Sequence, residues 1–270
     1  AALNPKIFFG YFSVCADPSQ GHGNDTTFPG LDWGQSAEAL LWLGRKAEVL
    51  ASWDYVKTFL RDDGLIPFAI VPGQAGTTVQ MKLPKSDKEY PFVVAANGGA
   101  YSHWFPGNPL LMLPNVTVVQ MADAIFKHSN DQAWLTAQLP YLRRITDWMV
   151  QQVTPEGLVR GGGFYVERPP RLEHDGVTQC YTADAFCLAA QLTGDSAYTT
   201  VADRITAAFR KKFWAGDHCV EYINAEHGMI SHHGLTDVDW AAIATRTTTA
   251  EQTKILWPQL RRNPDFIYNG

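Results

Sequence analysis

Basic residues are scarce in this chain: 22 Lys and Arg stand against 27 Asp and Glu in 270 residues, a formal net charge of -5. Nucleic-acid binding relies on clustered Lys and Arg that neutralise phosphates, so no nucleic-acid partner is expected. Long apolar runs are missing as well. Nothing approaches the roughly 20 consecutive apolar residues that a helix needs to cross a bilayer, and no membrane partner is expected. Charged residues make up only 18% of the chain against 46% hydrophobic, which excludes a self-repelling disordered chain and suits a large packed core. The four cysteines, Cys15, Cys180, Cys187 and Cys219, form no CxxC pair, so no metal site is expected. Cys180 and Cys187, seven residues apart on an expected helix, should share one buried face. There is no GxSxG elbow, no P-loop and no HExxH, and the Gly161–Gly163 run lacks the strand–turn–helix setting of a dinucleotide site. No redox cofactor is expected. No charged-then-apolar leader opens the sequence; compartment and oligomeric state stay open.

What the chain has in quantity is aromatic: nine Trp, ten Tyr and fourteen Phe, 12% of all residues. Many fill helices, but Trp33, Trp104, Phe105, Phe164 and Tyr165 stand in Gly- and Pro-rich loops. Rings outside helices need a reason beyond core filling. Two N-x-T sequons, at Asn24 and Asn115, are too short a pattern to assign glycosylation.

Helical periodicity dominates. Residues 35–50 place Ala37, Leu40, Leu41, Leu43 and Ala47 on one apolar face. A second helix should start at a Ser52 cap and run to Arg61, a third follow Pro114, and a fourth follow Asn130, with Pro140 kinking it or marking its first turn. The fifth, Thr182–Thr193, should end at Gly194. The sixth, capped by Asp195, ends in basic residues that suit the helix dipole. Further helices are expected over 236–246 and 248–257, and short strands at Leu65–Val71, Thr78–Lys82 and Val93–Ala96. A pattern recurs after helices: DGLIPFA (63–69), EGLVRGG (156–162) and HGMISHH (227–233) each place a turn glycine before Leu or Met and a β-branched residue. Uneven spacing excludes a strict solenoid. Helical hairpins with loops gathered on one rim fit it better.

Antiparallel hairpins with rim loops of Gly, Trp and acids resemble the all-α (α/α)6 toroid of the six-hairpin glycosidases. The likeness is strongest from Thr154 to Trp214, where TPEGLVRGGGFYVERP and TQCYTADAFCLAAQLTGDSAYTTVADRITAAFRKKFW resemble bacterial α-L-rhamnosidase-like catalytic domains. HGLTDVDWAAIATRTTTAEQTKILWPQL is similar to their following hairpin. The resemblance implies one helical-toroid catalytic domain over 1–270, with short β pieces in its rim loops. Twelve helices make a full ring and about eight are expected, so the resemblance implies an incomplete toroid from a longer polypeptide, with a catalytic base that can lie beyond residue 270.

The family carries an acidic cluster in an early loop, and NDTTFPGLDWGQ stands at the comparable place. Asp25 would match the general acid and Asp32 a hydroxyl-binding acid, although the family acid is usually Glu and no DERLGW string is present. Glycosidic hydrolysis needs two carboxyl groups about the anomeric carbon, and many toroid enzymes invert, leaving room for a water between them. Asp25 and Asp32 would supply one wall of the pocket; FYVERPPRLEHDG offers Glu167, Glu173 and Asp175 for another, with Arg168 and Arg171 to hold hydroxyls. Trp33, His103, Trp104, Tyr165, Arg168, Asp175 and Trp240 complete the expected carbohydrate-binding set, the indoles by stacking on sugar C–H faces. Ordinary structural roles compete at each place: Asp32 fits a helix cap, Asp25 an Asx-turn, Glu167 a surface ion pair, Asp175-Gly176 a turn, Trp104 a loop plug. One of Asp237 and Asp239 should cap a helix and the other face the rim. His227, His232 and His233 read as solvated loop histidines. The expected activity is a glycoside hydrolase. The alternatives are a polysaccharide lyase, with Tyr101, His103 and Arg168 as its machinery, and a carbohydrate-binding domain without catalysis.

Overall fold

The computed structural model describes residues 29–30, 34–66, 69–71, 78–82, 89–95, 98–101, 112–160, 174–225, 228–230 and 237–262. The chain divides into two compact units, residues 1–148 and 149–270.

In the first unit, α1 (Gly34–Trp42) and α2 (Lys46–Lys57) precede four short strands, β1 (Ala69–Val71), β2 (Thr78–Lys82), β3 (Glu89–Ala95) and β4 (Gly98–Tyr101). The strands form an antiparallel sheet in the order β1-β4-β3-β2. Then come α3 (Leu113–Ser129) and α4 (Gln132–Gln151), whose last residues enter the second unit. Pro114 opens α3, where its missing N–H is harmless. Asn130 ends it in the left-handed region at φ 49°, its N–H returning to the Phe126 carbonyl. Leu113, Val116, Val118, Val119, Met121, Ala122 and Ile125 bury α3 on nearly all sides, as befits a helix that others enclose. It packs on α1. The two even-numbered helices meet through side chains: Trp53 of α2 lies edge-on to Tyr141 of α4, 5.4 Å between ring centres, and its indole N–H donates to Gln138 Oε1 at 3.1 Å.

The second unit repeats this alternation. A two-residue strand, β5 (His174–Asp175), leads into α5 (Gly176–Thr193) and α6 (Ser196–Lys212); β6 (Tyr222–Asn224) and β7 (Gly228–Ile230) extend β5 into an antiparallel sheet, and α7 (Asp237–Ala244) and α8 (Ala250–Arg262) follow. Helix α5 packs on both α6 and α7. Val177, Cys180, Phe209, Phe213, Val220, Val238, Ala242 and Leu256 form one core cluster. Gly194 ends α5 at φ 73°, and Asp195 caps α6 by accepting the Ala197 N–H. Odd helices touch odd helices within each unit, and Arg210 of α6 donates to the Thr247 and Thr248 carbonyls that lead into α8. That is the packing of stacked helical hairpins.

Several sequence expectations need correction. Residues 35–50 are not one helix: Gly44, at φ 74°, turns the chain after α1. Ser52 is buried inside α2, which ends at Lys57, so it caps nothing. Pro140 lies well inside α4 rather than in its first turn. Helix α5 starts at Gly176, six residues before the expected Thr182. Cys180 joins the core cluster, but Cys187 is exposed, because that cluster does not reach its level on the helix. Asn115, the second sequon, is wholly buried and hydrogen-bonded, so it offers no acceptor amide to solvent. Strand Thr78–Lys82 stands as expected.

Candidate functional site

The long segments entering α3, α5 and α7 each begin with a glycine turn closed by a backbone hydrogen bond. In the first unit, Arg61 N–H donates to the Leu65 carbonyl around Gly64, and the next N–H, of Ile66, donates to Oδ1 of Asn115 in the first turn of α3, at 2.8 Å. In the second unit, Thr154 N–H donates to the Leu158 carbonyl around Gly157, and the next N–H, of Val159, donates to Oε1 of Gln179 in α5, at 2.7 Å. A related turn, one residue tighter and with its glycine in the second place rather than the fourth, follows α6. Ala215 N–H donates to the His218 carbonyl around Gly216, and Cys219 N–H donates to Oδ1 of Asp239 in α7, at 2.8 Å.

The sequence pattern found two of these copies. Its third, at 227–233, falls on strand β7, which Gly228 opens at φ 67°, with 227 and 231–233 outside the described residues; the turn that follows α6 is at 215–218. Gly64, Gly157 and Gly216 all have positive φ, at 97°, 85° and 107°, a conformation that side chains resist. A Cβ on Gly157 would lie 2.6 Å from the Arg204 carbonyl oxygen, and one on Gly64 would overlap that of Arg144. The first two turns therefore sit hard against the neighbouring even-numbered helix, whereas a Cβ on Gly216 would meet nothing within 4 Å.

Where the second and third turns end, three segments of the second unit converge. Asp175 of β5 pairs with Tyr222 of β6. Gly176 N–H donates to the Glu221 carbonyl at 2.8 Å, and a Cβ at Gly176 would press on Val238. The carboxyl groups of Asp175, Glu221 and Asp239 are thereby buried, at 0%, 2% and 6% exposure. Asp175 Oδ2 accepts from both the N–H and the hydroxyl of Thr178, each at 2.8 Å, so this oxygen caps α5. Burial holds the Asp239 carboxyl above the usual carboxylate range, against the lowering effect of its hydrogen bonds from Cys219. His174 is half-buried, its Nδ1 2.8 Å from the Val159 carbonyl. A carbonyl only accepts, so Nδ1 carries the proton and Nε2 of a neutral ring keeps its lone pair. Among the described residues, no group of His, Cys, Asp and Glu could hold a metal ion.

Of the residues expected from sequence, Asp175 and Trp240 fall in described segments. Asp175 caps α5, a structural role other than the turn that competed with sugar binding. Trp240 is half-buried, its ring edge-on to Trp257 of α8 at 5.9 Å. Asp25, Asp32, Trp33, His103, Trp104, Tyr165, Glu167 and Arg168 lie outside the described residues, as do Tyr101's side chain, Glu173, Arg171 and the three loop histidines. Glu221 and His174 were not singled out in the sequence. The signal for Glu221 was a lone acid between Val220 and Tyr222, in a stretch otherwise apolar enough to be buried.

No protein-family model matches the sequence, and no curated protein resembles it at a significant level. Solved structures do. The fold is that of the six-hairpin, (α/α)6 glycosidases. A rhamnosidase from Klebsiella oxytoca with rhamnose bound matches with a TM-score of 0.57 and 13% identity, over 89% of this chain and 42% of that one. A GH78 family rhamnosidase of Bacillus sp. GL1 matches with a TM-score of 0.64 and 12% identity, over 89% and 23%. A cellobiose 2-epimerase from Bacillus thermoamylovorans matches with a TM-score of 0.55 and 10% identity, over 93% and 63%. The chain thus spans less than half the length of the two rhamnosidases.

Proposed function

We propose that this chain is, or belongs to, the catalytic domain of a glycoside hydrolase that cleaves an oligosaccharide or glycoside by carboxylate acid–base catalysis. The observation that carries the reading is the fold it shares with two rhamnosidases over 89% of its length. Asp25 and Asp32, just ahead of α1, and Glu167, ahead of α5, are the proposed catalytic carboxyls. Trp33, His103, Trp104, Tyr165, Arg168, Asp175 and Trp240 are the proposed sugar contacts. The proposed substrate is an α-L-rhamnoside or a related glycoside, and the proposed outcome is inversion.

A panel of chromogenic glycosides, p-nitrophenyl α-L-rhamnoside among them, tests the reading. Release of nitrophenol is the expected result, with Asp32→Asn and Glu167→Gln lowering kcat by about 10²–10⁴ while sugar binding by calorimetry persists. Proton NMR of the first sugar released reads the anomer. No turnover on any glycoside, or unchanged kcat in both variants, would remove the proposal or its residues. The epimerase of the same fold supplies a second reading, epimerisation of a free reducing disaccharide, which proton NMR detects as a new disaccharide with the glycosidic bond intact.

A further inference from the structure

Where β5 enters α5, Asp175, Thr178 and Gln179 lie at 0%, 1% and 0% exposure and are bonded inside the fold. His174 beside them is only half-buried. One ring nitrogen is engaged, and the other, Nε2, meets no hydrogen-bond partner among the described residues and is not shut away from water.

Successive contacts fix the direction of that nitrogen. The backbone of His174 pairs with Ile223 of β6. Its Nδ1–H donates to the Val159 carbonyl at 2.8 Å. Val159 is in turn gripped by Gln179, whose Oε1 accepts the Val159 N–H at 2.7 Å and whose Nε2 donates to the Val159 carbonyl at 3.2 Å and to the Asp175 carbonyl at 3.0 Å. The neutral ring therefore keeps one tautomer, with Nε2 an acceptor. Glu156, an exposed acid in the preceding turn, does not satisfy it. Its own N–H and the Thr154 hydroxyl are the main groups that lower the Glu156 pKa, with Lys212 and His174 after them, and an ionised carboxyl has no proton to give. A histidine needed only for the fold is satisfied through Nδ1. An acceptor held this firmly at an open edge suits a donor on a ligand, because its ordering cost is met before binding.

We propose that His174 is a substrate-contacting residue whose Nε2 accepts a hydroxyl of the sugar. This deepens the glycoside reading above and rests on it. The chemistry selects an uncharged sugar hydroxyl over the carboxylate of a uronate, which has no proton to donate and would face the nitrogen lone pair.

Nitrogen-15 NMR of the full chain with labelled histidine, at neutral to slightly alkaline pH, follows the ring as L-rhamnose or cellobiose is added, beside calorimetry of the same titration. Without sugar, Nε2 should be the unprotonated nitrogen of the pair. With sugar it should move upfield, as an acceptor does on hydrogen bonding, along the calorimetric binding curve. His174→Asn keeps a donor at the place of Nδ1 and removes Nε2. It should melt with wild type yet bind the sugar about three- to tenfold more weakly. A ring protonated on Nε2, a silent Nε2 while sugar binds, unchanged affinity in His174→Asn, or no binding of either sugar overturns the proposal. Should the variant not fold, the wild-type nitrogen titration decides alone. The chromogenic assay keeps the two readings apart: turnover with a silent Nε2 removes only the His174 contact, whereas a sugar-responsive Nε2 without turnover removes hydrolysis and keeps the contact.

Discussion

Asn115 holds Ile66 across 49 residues of sequence, its Oδ1 accepting the Ile66 N–H at 2.8 Å in a wholly buried setting. The same amide donates to the Gly64 and Ile145 carbonyls, at 3.0 Å each. One side chain therefore ties α3, the turn after α2, and α4 together, and the four-strand sheet is inserted between the two residues it joins. The tie limits where that long insertion can begin.

Replacing Asn115 should cost more than any exposed polar change. Asn115→Ala strands one buried donor and two buried acceptors, and at about 1–3 kcal/mol for each group left unsatisfied, a total of about 3 kcal/mol or more is expected. Asn115→Asp keeps the acceptor but loses both donors, and should also destabilise. Urea denaturation read by circular dichroism measures both variants against wild type.

The turn glycines should separate into two groups. Gly64→Ala and Gly157→Ala meet both a positive φ and a neighbouring carbonyl oxygen. Gly44→Ala and Gly194→Ala have similar φ, at 74° and 73°, but nothing within 4 Å of the new Cβ. The open pair should lose about 1–2 kcal/mol from backbone strain alone, and the crowded pair clearly more. Thermal melts of the four variants give the ranking, and equal losses would show that the neighbouring helices yield freely.

Tyr141 should make stability fall at alkaline pH. Its ring is buried between Trp53 and Lys57, its hydroxyl has no hydrogen-bond partner among the described residues, and burial pushes its pKa well above 10.0. Below pH 10 both folded and unfolded chains keep the phenol protonated. Above it the unfolded chain ionises first, so this group subtracts up to about 1.4 kcal/mol per pH unit. Tyr141→Phe should be neutral or slightly stabilising at pH 7, and should flatten the loss between pH 10 and pH 11 in paired urea titrations.

The cysteines should react in a fixed order. Burial raises all three described thiols, Cys187 with help from Asp184 and Asp203, but Cys187 is exposed to reagent whereas Cys180 and Cys219 are buried. Only the thiolate reacts readily. Maleimide labelling of the native protein, read by peptide mass, should mark Cys187 in minutes and reach Cys180 and Cys219 only on denaturation. Early labelling of Cys219 at neutral pH would instead report an open turn at 214–220.

Much of the architecture follows from the sequence. Pro114, Asn130, Gly194 and Asp195 mark helix ends because capping is local chemistry, decided by a few neighbouring residues. The turn motifs DGLI and EGLV were visible for the same reason, since a positive φ before an apolar residue asks for glycine. The turn after α6 shows no such motif, because GDHCV carries its glycine earlier and has no Leu, and only the hydrogen bond from Cys219 to Asp239 relates it to the other two. Tertiary structure alone decided which polar residues are structural. Asn115 stands in a sequon too short to assign and Gln179 in no motif, yet each receives a backbone N–H from a turn 20 to 49 residues away. Burial depends on what the rest of the chain lays over a residue, and no local pattern carries that information. Helix ends are written in neighbouring residues; the buried acids and amides that join one hairpin to the next exist only once the hairpins have stacked.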